Sequence, residues 1–241
     1  MKYIKGVHRH GSEIFLSVLK DSKSLETMNI TKSATTIKGI SSIISEYNGI
    51  IWYNKYSKNK IRYNFEKKTK DYYRIKIEFN KGFFNIRPNT PYIDLKKYLE
   101  LTINHYIEIW NEYKNKEYAP IHGDLSLVGN VMFNNNEEAM FVDWEQFDNS
   151  SVMPTGIDPI MTIIENVWYE TIIHKKITDD TLQHINKLIQ NLNKANLLSP
   201  LLQKKPAQNA VKFIKANIEI WKGQHYKLPS LKIPNKFIEE I

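Results

Sequence analysis

Hydrophobic and polar residues alternate over much of the first third of the chain, which is typical of β-strands. The alternation predicts four strands, Glu13–Leu19, Leu25–Lys32, Lys60–Phe65 and Tyr72–Phe79. The charged stretch Glu66–Asp71 is expected to form the turn between the last two strands. Over residues 40–56 the period changes to that of an amphipathic helix, with apolar residues at Ile40, Ile43, Ile44, Tyr47, Ile51 and Trp52. Residues 1–82 are therefore predicted to form a small sheet with one helix.

The rest of the chain has a mainly helical pattern. Apolar residues recur at helical spacing over four segments, Asp94–Lys114, Ile157–Lys175, Asp179–Leu197 and Ala207–Trp221. Strand-like character in this half is confined to residues 119–147, and the turn-forming sequence Asn80-Lys81-Gly82 separates the two patterns. The chain is therefore predicted to be an α+β protein with a β-rich lobe over residues 1–82 and a mainly helical lobe over residues 83–241.

The strand-like stretch of the second half has the pattern of a β-hairpin. Two short apolar runs flank the polar loop Asn134–Glu138. If Phe133 pairs with Ala139, the antiparallel register places Asn130 opposite Val142. The residue after Val142 is an aspartate, so the open end of the predicted hairpin carries two polar side chains.

Three oxygen-bearing side chains are expected to meet at this open end. Asn130 and Asp143 come from the two strands, and Asp124 enters from the preceding loop. Two carboxylates and one carboxamide suit Mg²⁺, which prefers oxygen ligands and binds substrate phosphates with its remaining positions. No histidine or thiol pattern in the sequence offers a better metal site. Such a site supports phosphoryl transfer, in which a free carboxylate accepts the proton of an attacking hydroxyl.

Several motifs occur in a fixed order here: His122-Gly123-Asp124-Leu125, Asn130-Val131, Val142-Asp143-Trp144-Glu145 and Thr155-Gly156-Ile157-Asp158. Together they resemble the aminoglycoside phosphotransferase and choline kinase group of the kinase-like superfamily. The resemblance implies a bilobal protein-kinase-like fold, with a small N-terminal sheet lobe, one helix, and a larger helical lobe that carries the catalytic hairpin. The sequence after the hairpin is similar to that of polysaccharide-associated bacterial members.

The resemblance also implies roles for individual residues. Asp124 corresponds to the catalytic base, Asn130 to a metal ligand and Asp143 to the main Mg²⁺ ligand, with ATP as the phosphate donor. Asp158 corresponds to an aspartate that supports the catalytic loop. His122 is interpreted as structural and is given no proton transfer.

The spacing of one motif departs from the family pattern. The family usually places its asparagine five residues after the aspartate, whereas six residues separate Asp124 from Asn130. Gly129 stands in the usual position and is expected to absorb the extra residue as a bulge. The insertion leaves open an altered loop or a catalytically weak relative.

Members of this group also use a lysine to contact the nucleotide phosphates and a glutamate to hold that lysine. Lys32 at the end of a predicted strand and Glu46 on the following helix fit these roles. Lys38 is the alternative lysine, but it lies before the predicted helix and outside any predicted strand. The phosphate-covering loop is expected within Gly6–Ser12, although it matches no glycine fingerprint, and the adenine contacts within residues 79–82.

Composition narrows the class of protein. The 241-residue chain contains no cysteine, which excludes disulfides, thiolate catalysis and cysteine-ligated zinc. It contains no apolar stretch of the roughly 18 residues that a membrane-spanning helix requires. The N-terminal sequence Met1-Lys2-Tyr3-Ile4-Lys5 lacks the apolar core of a signal peptide. These features predict a cytoplasmic protein without a transmembrane segment.

The net charge of +8 is unevenly distributed along the chain. Residues 1–82 carry 17 Lys/Arg against 7 Asp/Glu (+10), residues 83–200 carry 9 against 16 (−7), and residues 201–241 carry 8 against 3 (+5). An acidic middle suits a site for divalent cations, and the basic ends favour polyanions. The basic tail leaves open a peripheral contact with an anionic membrane surface or glycan. The pattern does not resemble a uniform nucleic-acid-binding surface, so no nucleic-acid partner is expected.

The sequence therefore predicts a kinase that uses ATP and Mg²⁺. It would transfer the γ-phosphate to a hydroxyl of a small molecule or of a sugar or glycan acceptor. The alternative is a nucleotide-binding pseudokinase or regulatory module without transfer activity, which the six-residue spacing would fit. The sequence leaves open the identity of the acceptor and the choice between ATP and GTP.

Overall fold

The chain folds as an α+β protein, as predicted. The computed structural model describes residues 2–8, 14–20, 27–78, 82–87, 90, 92–173 and 177–217. The chain divides into two compact units: unit 1 holds the residues up to Phe83 together with Asp143–Phe147, and unit 2 holds Phe84–Val142 and the residues from Asp148 onward. The predicted lobes over 1–82 and 83–241 stay a prediction.

Unit 1 contains a five-stranded antiparallel sheet and one long helix. Its elements are β1 (Lys2–His8), β2 (Phe15–Lys20), β3 (Thr27–Ala34), α1 (Ile37–Tyr56), β4 (Arg62–Thr69) and β5 (Tyr72–Glu78). The strand order is β1-β2-β3-β5-β4, and α1 packs against β3 and β5. The predicted combination of a small sheet with one helix is thus confirmed within the described residues.

The two edge strands of this sheet differ from the prediction. Strand β1 was not predicted, and its pairing with β2 contains a register shift between Ile4 and Val7 that disturbs the alternation. Part of the segment expected to cover the phosphates, residues 6–8, therefore lies in a strand, and residues 9–12 lie outside the described part of the chain. Strand β4 continues to Thr69, so the expected six-residue turn is reduced to Lys70 and Asp71. Edge strands tolerate charged residues on both faces, which is why β4 resembled a loop in the sequence.

The buried face of helix α1 overlaps the predicted stripe only in part. Its buried residues include Gly39, Ile43, Glu46, Ile50 and Tyr53, which recur alternately four and three residues apart on one helix face. Of the predicted stripe, Ile43 is buried, whereas Ile44 is 37% and Ile51 is 43% exposed. The hydrophobic periodicity correctly indicated a helix, and the centre of its buried face is rotated from the predicted stripe. As a consequence, Glu46 lies in the centre of the buried face, whereas the pattern had placed it at the edge.

A single glycine allows α1 to pack closely against the segment 143–147. A Cβ atom at Gly49 would lie 2.6 Å from the Cβ of Trp144 and 2.9 Å from the Cβ of Phe147. We expect Gly49→Ala to lower the free energy of unfolding by about 1–3 kcal/mol, because overpacking outweighs the higher helix propensity of alanine. Urea unfolding measures this change. Gly129→Ala is the matched control, because no atom lies within 4 Å of its added Cβ. A stabilised Gly49→Ala variant would contradict this packing.

Unit 2 is mainly helical and contains two small sheets. Its elements are β6 (Phe84–Asn85), α2 (Tyr92–Ile109), β7 (Tyr118–Ile121), β8 (Val131–Phe133), β9 (Ala139–Phe141), β10 (Asp148–Pro154), α3 (Ile157–Ile173), α4 (Asp179–Lys194), α5 (Pro200–Gln203) and α6 (Pro206–Asn217). One sheet has the order β6-β8-β9 and the other pairs β10 with β7. Helix α3 packs against α2 and α6, and α2 also packs against α4 and β9.

Several boundaries in unit 2 differ from those predicted. The four predicted helices are present, but α2 ends at Ile109 and a short 3-10 turn, Asn111–Tyr113, follows it. Helix α6 is described up to Asn217, so the predicted end at Trp221 lies outside the described residues. Strand β10 was not predicted, because its sequence, Asp148-Asn149-Ser150-Ser151, is typical of a turn. No helix in the described ranges combines the length and apolarity that a membrane span requires.

Candidate functional site

The hairpin predicted in unit 2 is present with the predicted register. Strands β8 and β9 are antiparallel and Phe133 pairs with Ala139. Beyond the strands, the backbone N–H of Val142 donates to the carbonyl oxygen of Asn130 at 2.9 Å, so these two residues face each other as expected. The hairpin therefore holds Asn130 at its open end.

The loop from Asp124 to Asn130 is closed by the asparagine side chain. The buried Asn130 donates from Nδ2 to the backbone carbonyl oxygen of Asp124 at 2.5 Å. This bond leaves the amide oxygen of Asn130 as its potential metal-binding atom. The extra residue of the loop is absorbed by a turn in which the Asn130 N–H donates to the Ser126 carbonyl at 2.9 Å. Gly129 is exposed and does not have a positive φ, so the expected glycine bulge is not needed here.

His122 has a structural role, as predicted. Its ring is fully buried, and Nε2 lies 3.0 Å from the carbonyl oxygen of Val142, which can only accept. The proton is therefore on Nε2, and Nδ1 accepts the backbone N–H of Asp124 at 3.4 Å. Both ring nitrogens are thus engaged in holding the backbone.

Asp158 supports the same loop, as predicted from the resemblance. Its carboxylate is almost completely buried and accepts the backbone N–H of His122 at 2.8 Å and that of Gly123 at 3.1 Å. Gly123 has a φ of +85°, a conformation that favours glycine. Thr162, which the sequence did not single out, donates to the carbonyl oxygen of Leu125 from the next turn of α3. Helix α3 therefore fixes the backbone on both sides of Asp124.

In unit 1 the structure brings together Lys32, Glu46 and Asp143, and it adds Glu145. The Nζ atom of Lys32 lies 2.6 Å from Glu46 Oε2, 2.6 Å from Asp143 Oδ1 and 2.8 Å from Glu145 Oε1. The side chains of Lys32, Glu46 and Glu145 are buried, and that of Asp143 is 20% exposed. Lys38, the alternative lysine, is exposed in the first turn of α1. We call these four residues the carboxylate–lysine cluster.

The secondary structure explains how the carboxylate–lysine cluster forms. Lys32 lies in β3 between Leu16 of β2 and Ile75 of β5, so it projects from the interior of the sheet. Asp143 and Glu145 are two residues apart and lie on one side of their segment, whereas Trp144 between them packs against α1. The Asp-x-Glu spacing was the sequence signal for Glu145, but no contact between Glu145 and Lys32 was predicted from it.

Asp143 adopts a backbone conformation that is uncommon for an aspartate. Its φ is +66°, in the left-handed region that favours glycine. Such strain persists only where the surrounding structure imposes it, and it occurs frequently at functional sites. The conformation of Asp143 therefore supports a functional role for this residue.

The carboxylate–lysine cluster contains more acidic than basic groups. Burial by itself would lower the pKa of Lys32, but Asp143, Glu46 and Glu145 outweigh it and raise that pKa, so Lys32 is a cation. Burial raises the pKa of Glu46 to about 7, and the charge of Lys32 only partly opposes this rise. One ammonium faces three carboxyl groups, so the formal charge of these four residues is −2 when all are ionised.

The carboxylate–lysine cluster fits a divalent cation. One oxygen from each of Glu46, Asp143 and Glu145 lies within 4.8 Å of the others. The second oxygen of Glu46, Oε1, is buried and has no hydrogen-bond partner within the described part of the chain. Carboxylate oxygens are the ligands that Mg²⁺ and Ca²⁺ prefer, and a divalent ion would balance the excess charge.

The predicted site residues thus fall into two groups. Lys32, Glu46 and Asp143 lie together in unit 1, and Asp124 and Asn130 lie together in unit 2. The prediction that Asp124, Asn130 and Asp143 hold one ion stays a prediction. Of the residues expected to contact adenine, 79–82, residues 79–81 lie outside the described part of the chain.

No protein-family model and no curated protein sequence matches this chain.

Proposed function

We propose that this protein is a phosphotransferase with a kinase-like fold that uses ATP and Mg²⁺. The observation that carries the proposal is the buried ion pair between Lys32 on a central strand and Glu46 on α1, with Asp143 on the same ammonium group. In kinases such a pair orients a lysine toward the nucleotide phosphates, and a nearby aspartate binds the metal. The motifs around Asp124 that resemble the aminoglycoside phosphotransferase and choline kinase group support the same class.

The residues have distinct roles in the proposed reaction. The acceptor oxygen forms a bond to the γ-phosphorus of ATP while the bond from that phosphorus to the bridging oxygen breaks and ADP leaves. The acceptor proton passes to the carboxylate of Asp124, which is the general base. Lys32 contacts the phosphates and is held in place by Glu46. Asn130 and Asp143 would hold Mg²⁺, which when bound neutralises the charge of the phosphates.

The acceptor in this proposal is a hydroxyl of a small molecule or of a sugar or glycan. The resemblance to polysaccharide-associated members favours a glycan. The use of ATP as the donor fits the cytoplasm. The basic ends of the chain would favour an anionic acceptor or an anionic surface.

A second candidate is a nucleotide-binding pseudokinase. It is favoured by the six-residue separation of Asp124 and Asn130, and by the bond from Asn130 Nδ2 to the backbone of Asp124, which restricts the asparagine. Such a protein would bind nucleotide and would transfer no phosphate.

One pair of measurements separates the two candidates. We expect ATP with Mg²⁺ to raise the melting temperature, and AMP at the same concentration to leave it unchanged, since Lys32 would contact the outer phosphates. We expect ADP formation, followed by ³¹P NMR, to depend on an added acceptor from a panel of amino alcohols, aminoglycosides, monosaccharides and glycan fragments. Stabilisation without ADP formation for any acceptor would favour the pseudokinase. The absence of stabilisation by any nucleoside triphosphate would contradict both candidates.

A further inference from the structure

One face of α3 continues beyond the two residues that hold the backbone around Asp124. Asp158, Thr162 and Glu165 have the i, i+4, i+7 spacing of side chains on one side of a helix. The hydroxyl of Ser126 donates to Oε1 of Glu165 at 3.1 Å. Three successive turns of α3 therefore contact the loop residues that precede and follow Asp124.

Glu165 differs from the other two contacts because it can carry a charge that responds to pH near neutrality. Burial raises the pKa of Glu165 to about 7, the Ser126 hydroxyl opposes this rise, and the charge of Asp124 adds to it. Among the described residues, Asp124 is the group whose charge acts on the Glu165 carboxyl. Glu165 is thus electrostatically linked to the residue that we interpret as the base.

We propose that Glu165 is a positioning residue for Asp124, which acts through the hydroxyl of Ser126. This inference rests on the proposed function, in which Asp124 accepts the acceptor proton. Nothing in the motifs of the sequence assigns a role to Ser126 or Glu165.

The hydrogen bond to Ser126 makes the ionised form of Glu165 the active one. A carboxylate accepts a hydrogen bond more strongly than a neutral acid does, so ionised Glu165 holds Ser126 more firmly. Because Ser126 lies two residues after Asp124, the loop that carries the base is then held more firmly in the geometry that proton transfer requires.

The test compares variants at pH 6 and pH 8 with a saturating acceptor. At pH 6 wild-type Glu165 is mostly protonated, so Glu165→Gln imitates it and should have a kcat close to that of the wild type. At pH 8 the wild type is ionised, and Glu165→Gln should be slower by about three- to tenfold, because the neutral amide holds Ser126 less firmly and the base is less well positioned. The variant should keep its melting temperature, because the glutamine oxygen can still accept from Ser126.

Ser126 variants provide an independent readout. Ser126→Ala removes the hydrogen bond that lowers the pKa of Glu165, so the inflection of kcat near pH 7 should move to higher pH. Ser126→Thr keeps the hydroxyl and should keep the inflection of the wild type. Asp94→Asn is the matched control for loss of one negative charge in unit 2, since Asp94 is exposed on α2, and it should leave the profile unchanged.

The outcomes separate this inference from the proposed function. A loss of kcat by the same factor at pH 6 and pH 8, together with a lower melting temperature, would mean that Glu165 is only structural. Wild-type turnover with an unchanged profile in Glu165→Gln and Ser126→Ala would overturn this inference and leave the kinase assignment intact. A wild-type protein without turnover for any acceptor would overturn the proposed function and this inference with it.

Discussion

Asp124→Asn is expected to reduce kcat by about 10²–10⁴-fold, the usual contribution of a positioned general base. Asparagine has nearly the same shape as aspartate but cannot accept the proton of the attacking hydroxyl. Two hydrogen bonds of Asp124, to Asn130 and to His122, use its backbone carbonyl and N–H and survive the substitution, and the isosteric asparagine side chain fits the same space. The variant should therefore keep the melting temperature of the wild type and its stabilisation by ATP with Mg²⁺.

The measurement is initial-rate ADP formation with the best acceptor from the panel, with Asp94→Asn as the control. Asp94 is an exposed residue on α2 and lies outside the candidate site. A variant that retained wild-type turnover would remove Asp124 from the role of base. A variant that lost turnover together with its melting temperature would show that the side chain is needed for folding, and the conclusion on catalysis would not follow.

Lys32→Met is expected to have the largest effect on stability. The substitution removes the ammonium group and leaves three carboxyl groups, Glu46, Asp143 and Glu145, facing one another. Breaking a buried ion pair by removing one partner typically costs about 3–5 kcal/mol, because the remaining charge is uncompensated. Unit 1 should therefore unfold at a lower urea concentration, and ATP should no longer stabilise the variant.

The loss in Lys32→Met should depend on pH. Burial already raises the pKa of Glu46 to about 7, and without the opposing charge of Lys32 the folded protein holds a proton on Glu46 at a pH where the unfolded chain has released it. Stability then falls as pH rises from the ordinary carboxyl range toward neutrality and recovers on acidification. Urea unfolding of Lys32→Met and of the wild type at pH 5 and pH 8 measures this pH dependence of stability. Added Mg²⁺ should restore part of the loss at pH 8, because the ion replaces the missing positive charge.

Lys38→Met is the matched control, because Lys38 is an exposed lysine on the same helix that carries Glu46. Its stability should remain within about 0.5 kcal/mol of the wild type, as for most surface substitutions. Equal stability of Lys32→Met and Lys38→Met at pH 8 would contradict the buried carboxylate–lysine cluster. If Lys32→Met lost as much stability at pH 5 as at pH 8, the electrostatic origin of the loss would be contradicted.

Secondary structure was predictable wherever an element has one buried and one exposed face. The hairpin in unit 2 was predicted with its pairing of Phe133 to Ala139, because two short apolar runs around a polar loop allow few registers. Strands β1 and β10 were missed. Each pairs with a single neighbouring strand and contains a register shift, so burial imposes little alternation on its sequence.

Candidate site residues were chosen where they belong to a compact motif. Asp124, Asn130 and Asp143 were chosen because their order and spacing constrain the chemistry, and Lys32 was chosen over Lys38 because it ends a predicted strand; their roles stay predictions. Glu145 belongs to the motif that begins at Val142, but no contact with Lys32 was predicted for it. Thr162 and Glu165 were missed, because each is one polar residue in a stretch with no unusual pattern. Only the folded chain shows that Glu145 contacts Lys32, and that α3 directs Thr162 and Glu165 toward the loop.

The sequence by itself determined the α+β composition, the helices and the hairpin register, because local periodicity and turn chemistry act over a few residues. The tertiary structure decided which face of α1 is buried, and with it that Glu46 lies beneath the sheet beside Lys32. It also decided that residues 143–147 belong to unit 1. There Asp143 contacts Lys32, from which it is separated by 111 positions in the sequence. Such contacts depend on how distant surfaces fit together, and no local pattern records that fit.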